Sequence, residues 1–329
     1  MNDPTIVAVI VLAVIFDFFN GFHDSSNIVA TMISSGATSP RTALVLASVA
    51  EFSGPFLFGV AVAGTIGQEV VALNVIPIAV VLAMLVSAIG WNVATYIIGI
   101  PSSSSHALIG GLIGAAVVSE GFQVIHLQGL IKVFVALIGS PILGLLAGWM
   151  VMRLLLFLAR GASPRINTFF KRAQILSSIA LAFSHGTNDA QKTMGVITMA
   201  LVIRGVIPTF AVPWWVILLS ASAISLGVIS GGWRIIQTLG GRFYRIRPVH
   251  GFAAQTTAAA VIMTAALLGG PVSTTQVVSS SIVGVGSAER LSKVRWPVAI
   301  NVATAWLLTI PVSFVVGALT YVVVAGFVH

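Results

Sequence analysis

A glycine, a histidine, an aspartate, two serines and an asparagine are gathered in Gly21-Phe22-His23-Asp24-Ser25-Ser26-Asn27, directly after an apolar run. A related set stands at Gly186-Thr187-Asn188-Asp189-Ala190-Gln191-Lys192. A charged side chain at mid-membrane costs between ~2.5 and ~17 kcal/mol, so such groups are expected to face a protein cavity and to serve a purpose. A glycine within an apolar helix permits a break, whose freed backbone groups would stand beside the carboxylates of Asp24 and Asp189. That combination suits a hard cation such as Na⁺, or a proton if burial raises the carboxyl pKa. His23 occupies the place of Asn188 in the second copy and adds a group that titrates near neutrality, which favours protons.

A second duplicated motif carries different chemistry. Pro101-Ser102-Ser103-Ser104-Ser105-His106 is matched by Pro271-Val272-Ser273-Thr274-Thr275-Gln276. Proline suits the first turn of a helix, and the hydroxyls that follow it, with free backbone N–H groups, can point at an anion. Two such half-helices facing each other would form a shell of donors from Ser103, Ser104, Ser105, Ser273, Thr274 and Thr275 without a full positive charge. That shell suits a tetrahedral oxyanion. A Ser/Thr cluster also serves as glue between membrane helices, but its duplication beside the ends of apolar runs favours the binding role.

Single polar residues complete the candidate set. Glu51, whose counterpart near Ile224 is apolar, is either a cation ligand or a partner for a nearby hydroxyl. Asn27 and Lys192 each stand six residues past their glycine, and Lys192 either pairs with Asp189 or reaches the anion. Asp17 falls on the helical face of Asp24 and lines the same path if the helix is continuous. His106 either meets the substrate or caps its neighbours. Trp91, Trp149, Trp214, Trp215 and Trp296 are expected as anchors at the membrane interface.

The elements that must position these residues follow from composition. The chain has 329 residues, 57% hydrophobic and only 7% charged, with a mean hydropathy of +1.07, against about 25% charged in a soluble domain. Uncharged runs such as 75–98 exceed the ~20 residues needed to span, so the expectation is an all-α polytopic membrane protein and not a β-barrel. The net charge of +8 would suggest nucleic acid in a soluble protein. Here the basic residues cluster at 153–172, 234–247 and 290–295 and read as cytoplasmic loops, with no nucleic-acid partner. There is no cysteine, hence no disulfide and no thiolate chemistry. Met1-Asn2-Asp3-Pro4 lacks a basic stretch, and the first apolar run is expected to be retained as a helix.

Ten apolar segments are expected, at about 5–34, 42–65, 75–99, 101–118, 129–158, 174–203, 212–233, 250–269, 271–287 and 296–325. Five lie on each side of 160–172. With that stretch cytoplasmic, the N-terminus and the tail ending at His329 lie outside, and the two halves cross the bilayer in opposite directions. The motifs repeat in the same order, with offsets of 165 residues from Gly21 to Gly186 and 170 from Pro101 to Pro271. The expected organisation is a first repeat over 1–159, a basic cytoplasmic linker over 160–173 and a second, inverted repeat over 174–329, with broken or re-entrant helices. This is the signature of a secondary transporter with its site near the bilayer midplane.

The paired G-x-[NH]-D motifs, the paired P-x-S-[ST]-[ST] motifs and the run Gly231-Gly232-Trp233-Arg234-Ile235-Ile236 resemble the inorganic phosphate transporter (PiT) family over nearly the whole chain. The resemblance implies an inverted-repeat phosphate symporter driven by Na⁺ or H⁺, with Asp24, Asn27, Asn188, Asp189, Ser103, Ser104, Ser105, Ser273, Thr274 and Thr275 along the transport path. Two positions depart from the pattern. The first motif reads Gly-Phe-His-Asp where many members have Gly-Ala-Asn-Asp, which resembles bacterial proton-coupled carriers, and Lys192 replaces an asparagine. The resemblance also admits sulfate permeases.

Energetics points the same way. Importing a dianion against an inside-negative 100 mV costs ~4.6 kcal/mol at ~2.3 kcal/mol per charge, so cations must travel with it. Expected partners are inorganic phosphate or sulfate, the lipid bilayer and a second copy of the chain in a homodimer; the expected home is a prokaryotic cytoplasmic membrane. No cofactor is expected beyond co-transported H⁺ or Na⁺, with Asp24 and Asp189 as ligands if the ion is Na⁺. An intramembrane serine hydrolase built on Ser102–Ser105 lacks a G-x-S-x-G elbow, and a passive channel has no need of buried titratable groups.

Overall fold

In hydrocarbon every backbone N–H and C=O must be satisfied within its own segment, which turns the apolar runs into helices. A computed structural model describes residues 3–327, and the backbone alone at 241 and 242. The outward placement expected of Met1 and of the tail at His329 lies outside the described residues. The α-helices are α1 (Pro4–Ser34), α2 (Pro40–Ser53), α3 (Ala61–Gly64), α4 (Ile78–Ile98), α5 (Ser104–Glu120), α6 (Leu127–Leu158), α7 (Ile166–Ile203), α8 (Trp214–Ser230), α9 (Trp233–Gln237), α10 (Pro248–Leu267), α11 (Thr274–Glu289) and α12 (Trp296–Ala325). Among the described residues no strand forms, only an isolated bridge between Val71 and Ile125. α1, α4, α6 and α12 are long and apolar enough to cross a membrane.

One pattern of elements occurs twice. A long helix with a polar centre (α1, α7) leads into a sharply bent segment. The bend is 71° after α2 and 61° after α8, and each short arm ends in a π turn, at Thr65–Glu69 and Thr238–Arg242. A helical hairpin follows (α4–α5, α10–α11), then a long helix with an internal proline, Pro141 in α6 and Pro311 in α12. The fold is an all-α polytopic membrane protein of two inverted-topology repeats. The halves interleave, with α6 along α11, α12 along α5, α1 along α8 and α2 along α7. Neither half closes a core of its own.

The two hairpins answer where the chain breaks. α4 and α10 each end at a left-handed glycine, Gly99 (φ 75°) and Gly269 (φ 72°), and the chain turns back into α5 and α11. The tips meet: Ser105 Oγ donates to the Val272 carbonyl at 3.0 Å, and the Gln276 amide lies 3.5 Å from the His106 ring. The stretches 101–118 and 271–287 are therefore the return arms of two helical hairpins whose tips face each other. The second bent segment braces the first of these turns, for Thr238 Oγ1 donates to the Gly99 carbonyl at 3.0 Å and Arg234 Nη1 to the Ile97 carbonyl at 2.6 Å.

Two sequence expectations are corrected. The helices do not break at Gly21 or Gly186; α1 and α7 run through both. These glycines permit helix crossings instead. A Cβ at Gly21 would sit 2.1 Å from the Ile224 carbonyl oxygen, and one at Gly186 would sit 2.2 Å from that of Glu51. Small residues let membrane helices approach this closely, and the close approach sets the polar centres side by side. Nor do Pro101 and Pro271 occupy the first turn of a helix. The N-caps are Ser103 and Ser273, whose hydroxyls accept from the backbone N–H of His106 and Gln276. A serine oxygen satisfies an amide that the first turn leaves free, whereas proline two residues earlier only sets the extended approach.

Candidate functional site

α1 and α7 bring their motifs face to face at the hairpin tips. Asp24, two-thirds of the way along α1, is 1% exposed, and Asp189, Lys192, His185 and Glu51 are 0% exposed. Lys192 pairs with Asp189 at 2.7 Å, one turn back on its own helix. Of the two roles expected for Lys192, this contact is the pairing with the aspartate. Thr275 Oγ1 donates to Asp24 Oδ1 at 2.9 Å, while Thr274 Oγ1 stands between the two carboxylates, 3.3 Å from Asp24 Oδ2 and 3.3 Å from Asp189 Oδ2. Asn27 Nδ2 donates to Thr275 Oγ1 at 3.0 Å. The His23 ring turns back to Asp24, with Nδ1 3.0 Å from Oδ1.

The remaining candidates serve the shell around this centre. Asn188 donates to the Gly270 carbonyl at 3.1 Å, and so ties α7 to the second hairpin tip. Ser103 and Ser273 are spent on capping, Ser103 also meeting His106 Nδ1 at 2.6 Å. Ser105 bridges the tips, and Ser104, the first residue of α5, is buried beside it. Glu51 takes neither a hydroxyl nor an open face; its Oε1 lies 2.6 Å from His185 Nδ1. Asp17 is wholly buried on the same face of α1, one turn before Asn20. Of the tryptophans, Trp149, Trp214 and Trp296 are exposed, whereas Trp91 packs on the core with its indole nitrogen buried.

Two participants escaped the motif reading. His185 Nε2 lies 3.5 Å from Asp24 Oδ2 and 3.6 Å from Asp189 Oδ2, which makes it the bridge from Glu51 to both aspartates. Asn20 Nδ2 donates to Asp189 Oδ2 at 3.2 Å. Both stand directly before a motif glycine, and each reaches the aspartate of the other repeat. Reading the motifs from the glycine onward hid them; one residue earlier shows Asn20 and His185 as counterparts.

Chemically the centre is a buried cluster of acids whose charge balance turns on the protonation of two imidazoles. Asp24, Asp189 and Glu51 face one ammonium and two imidazoles, and uncompensated charge in such a place costs several kcal/mol per ion. Asp24, His185 and Asp189 offer ligand atoms that all lie within 4.8 Å of one another. Protons or a small cation fit this set, with the Thr274 hydroxyl 3.3 Å from each carboxylate and the His185 Nε2 facing them at 3.5 and 3.6 Å. Hydroxyl donors occupy the same place, so the centre can hold cations at its carboxylates and an oxyanion at its hydroxyls.

Comparison with known proteins shows the family of the chain. A model of the phosphate transporter family matches residues 20–162 and again residues 158–317. A protein of Bacillus subtilis (strain 168) described as a probable low-affinity inorganic phosphate transporter is 42% identical over 320 residues, 96% of each chain. One so described from Mycobacterium bovis (strain ATCC BAA-935 / AF2122/97) is 44% identical, over 98% of this chain and 78% of its own. A solved structure described as the sodium-dependent phosphate transporter superimposes with a TM-score of 0.90 at 25% identity, over 99% of this chain and 100% of that one. Matched twice by the family model and along almost its whole length by carriers that are not enzymes, this multi-pass membrane protein belongs to the phosphate transporter family.

Proposed function

We propose that the chain is a secondary active symporter that imports inorganic phosphate across a prokaryotic cytoplasmic membrane together with H⁺ or Na⁺. One observation carries this reading: Thr274 and Thr275, which open α11, spend their hydroxyls on the carboxylates of Asp24 and Asp189. An oxyanion placed there would meet carboxylate charge and no free hydroxyl. A proton or Na⁺ taken up at Asp24, His185 and Asp189 removes that repulsion and releases both threonines to donate to the anion. Cation binding thus prepares anion binding, which is the coupling a symporter needs. Asn27, Ser104, Ser105 and Asn188 complete the donor shell at the hairpin tips, Ser103 and Ser273 hold its helices, and Lys192 offsets Asp189. His23 and Glu51, each against a partner at 3.0 Å or less, complete the cation-coupling set. The two repeats, 1–159 and 174–329, joined by the basic stretch 160–173, rock about this centre.

The carboxylates also bear on the choice of anion. A site that holds an acceptor favours HPO₄²⁻, which has a proton to donate, over SO₄²⁻, which has none. The test is uptake of radiolabelled phosphate into proteoliposomes under imposed Na⁺ or pH gradients, with excess sulfate as competitor. Accumulation above equilibrium that is indifferent to sulfate is expected. Uptake that stops at equilibrium, or that sulfate abolishes, contradicts the reading.

A further inference from the structure

The face of α1 that carries Asp24 continues to its cytoplasmic end through Asn27, Thr31 and Ser35, three or four residues apart. Each of these finds a polar partner on another helix. Asn27 meets Thr275, as above. Gln255 Nε2 donates to Thr31 Oγ1 at 2.9 Å, Ser177 Oγ donates to Gln255 Oε1 at 2.8 Å, and Ser35 Oγ donates to Gln174 Oε1 at 2.6 Å. Thr31, Gln174, Ser177 and Gln255 are buried, whereas Ser35 reaches the surface beside the basic loop. A ladder of neutral donors therefore joins the site to the cytoplasmic face.

Glue between helices would be the ordinary reading, but three observations weigh against it. The inverted repeat supplies a control: the counterparts of Gln174, Thr31, Ser35 and Gln255 at offsets of 165 and 170 are Val9, Val196, Ala200 and Leu85, all at most 1% exposed within one apolar cluster. The outer half packs equally well with no polar group at those places, so packing does not require the ladder. Secondly, Gln174 Nε2 is buried without a partner. Thirdly, Gly251 clears room for that amide, since a Cβ there would lie 1.8 Å from Gln174 Nε2.

We infer that Ser35, Thr31, Gln174, Ser177 and Gln255 form the cytoplasmic leg of the transport route, closed by the two glutamine carboxamides, and that phosphate leaves the site along their donors. The inference rests on the symporter reading and assigns its exit. Neutral carboxamide and hydroxyl donors suit release, because an anion that meets several weak sites in series can leave each of them. The apolar counterpart forms the outer seal.

The absence of cysteine from the chain opens a direct test. Single-cysteine variants Thr31→Cys, Ser177→Cys and the mirror variants Val196→Cys and Leu12→Cys, Leu12 being the partly buried counterpart of Ser177 at the offset of 165, are exposed, in inside-out vesicles, to an impermeant anionic methanethiosulfonate. Thr31→Cys and Ser177→Cys are expected to react at least about tenfold faster than the mirror pair, with phosphate slowing them. Equal rates at all four positions, in variants that still take up phosphate, overturn the route. Gln255→Leu supplies a second arm: uptake is expected to fall about tenfold with an unchanged half-saturating external phosphate, and a wild-type rate overturns the gate. Wild-type protein that carries no phosphate defeats the symporter reading instead, while the sidedness of Thr31→Cys labelling still decides the route.

Discussion

Asp24 and Asp189 are counterparts in the repeat, yet their partners differ. Asp24 is held by two threonine hydroxyls and a histidine ring, Asp189 by the ammonium of Lys192 at 2.7 Å. In the proposed coupling both carboxylates receive the cation, and Asp189 in addition anchors the buried ammonium of Lys192. Asp189→Asn is expected to leave Lys192 buried without its counter-charge and to cost about 3–5 kcal/mol, read as a fall in the unfolding temperature of the purified protein. Asp24→Asn removes no such anchor. It is expected to keep the fold and to lose cation-driven accumulation of phosphate, and a variant that still concentrates phosphate would refute that role. Glu51→Gln should shift the pH profile of uptake, because it removes the acid 2.6 Å from the ring that bridges both aspartates.

At the scale of elements, the site depends on how closely the helices cross. Gly21→Ala places a methyl 2.1 Å from a carbonyl of α8, so α1 must retreat and Asn20 loses its reach to Asp189. The expectation is a loss of about 1–3 kcal/mol with impaired uptake, against no effect for Gly90→Ala, where nothing lies within 4 Å. Thermal unfolding and uptake of the two variants check this. The same glycines mark how far the sequence could be read. Hydropathy and duplicated motifs sufficed for helix class and repeat, and pointed to residues that the fold brings together, because 3.6-residue periodicity and a constant offset are local signals. A glycine, however, serves a break or a close approach equally well, and only the neighbour at Ile224 or Glu51 decides. The hairpin caps at Ser103 and Ser273 were hidden behind prolines for the same reason. His185 reaches Glu51 and Asp24, 134 residues and more away in sequence, and only the packing of α2 and α1 on α7 reveals them.

On the scale of the whole molecule the two faces are closed differently. At one end of α1 stands the glutamine ladder; at the other stand the apolar core around Val9 and Leu85 and an ion pair between Asp3, which caps α1, and Arg204 at the end of α7. The Thr5 hydroxyl chiefly, with Arg204, holds the Asp3 carboxyl down to about 2, below its ordinary 3.8. A depressed carboxylate contributes fully above its unfolded value and loses that contribution only as pH falls through its folded one. Asp3 therefore stays ionised across the range in which uptake operates. Asp3→Asn is expected to leave the shape of the uptake profile unchanged between about pH 5 and pH 8, the window in which histidines titrate. A profile that moves with Asp3→Asn would place the responding group at the outer surface instead of the buried centre.

The central claim is that a cation must occupy the carboxylates before Thr274 and Thr275 can hold phosphate. Its most direct measurement is the equilibrium affinity of the purified protein for phosphate, by calorimetry, as a function of Na⁺ and of pH, in wild type and in Asp24→Asn. The account predicts that wild-type affinity rises with one of the two cations, and that Asp24→Asn, with its carboxylate already neutral, binds phosphate with a weaker dependence on that cation. Wild-type protein that binds phosphate with one affinity at every Na⁺ concentration and pH would contradict it.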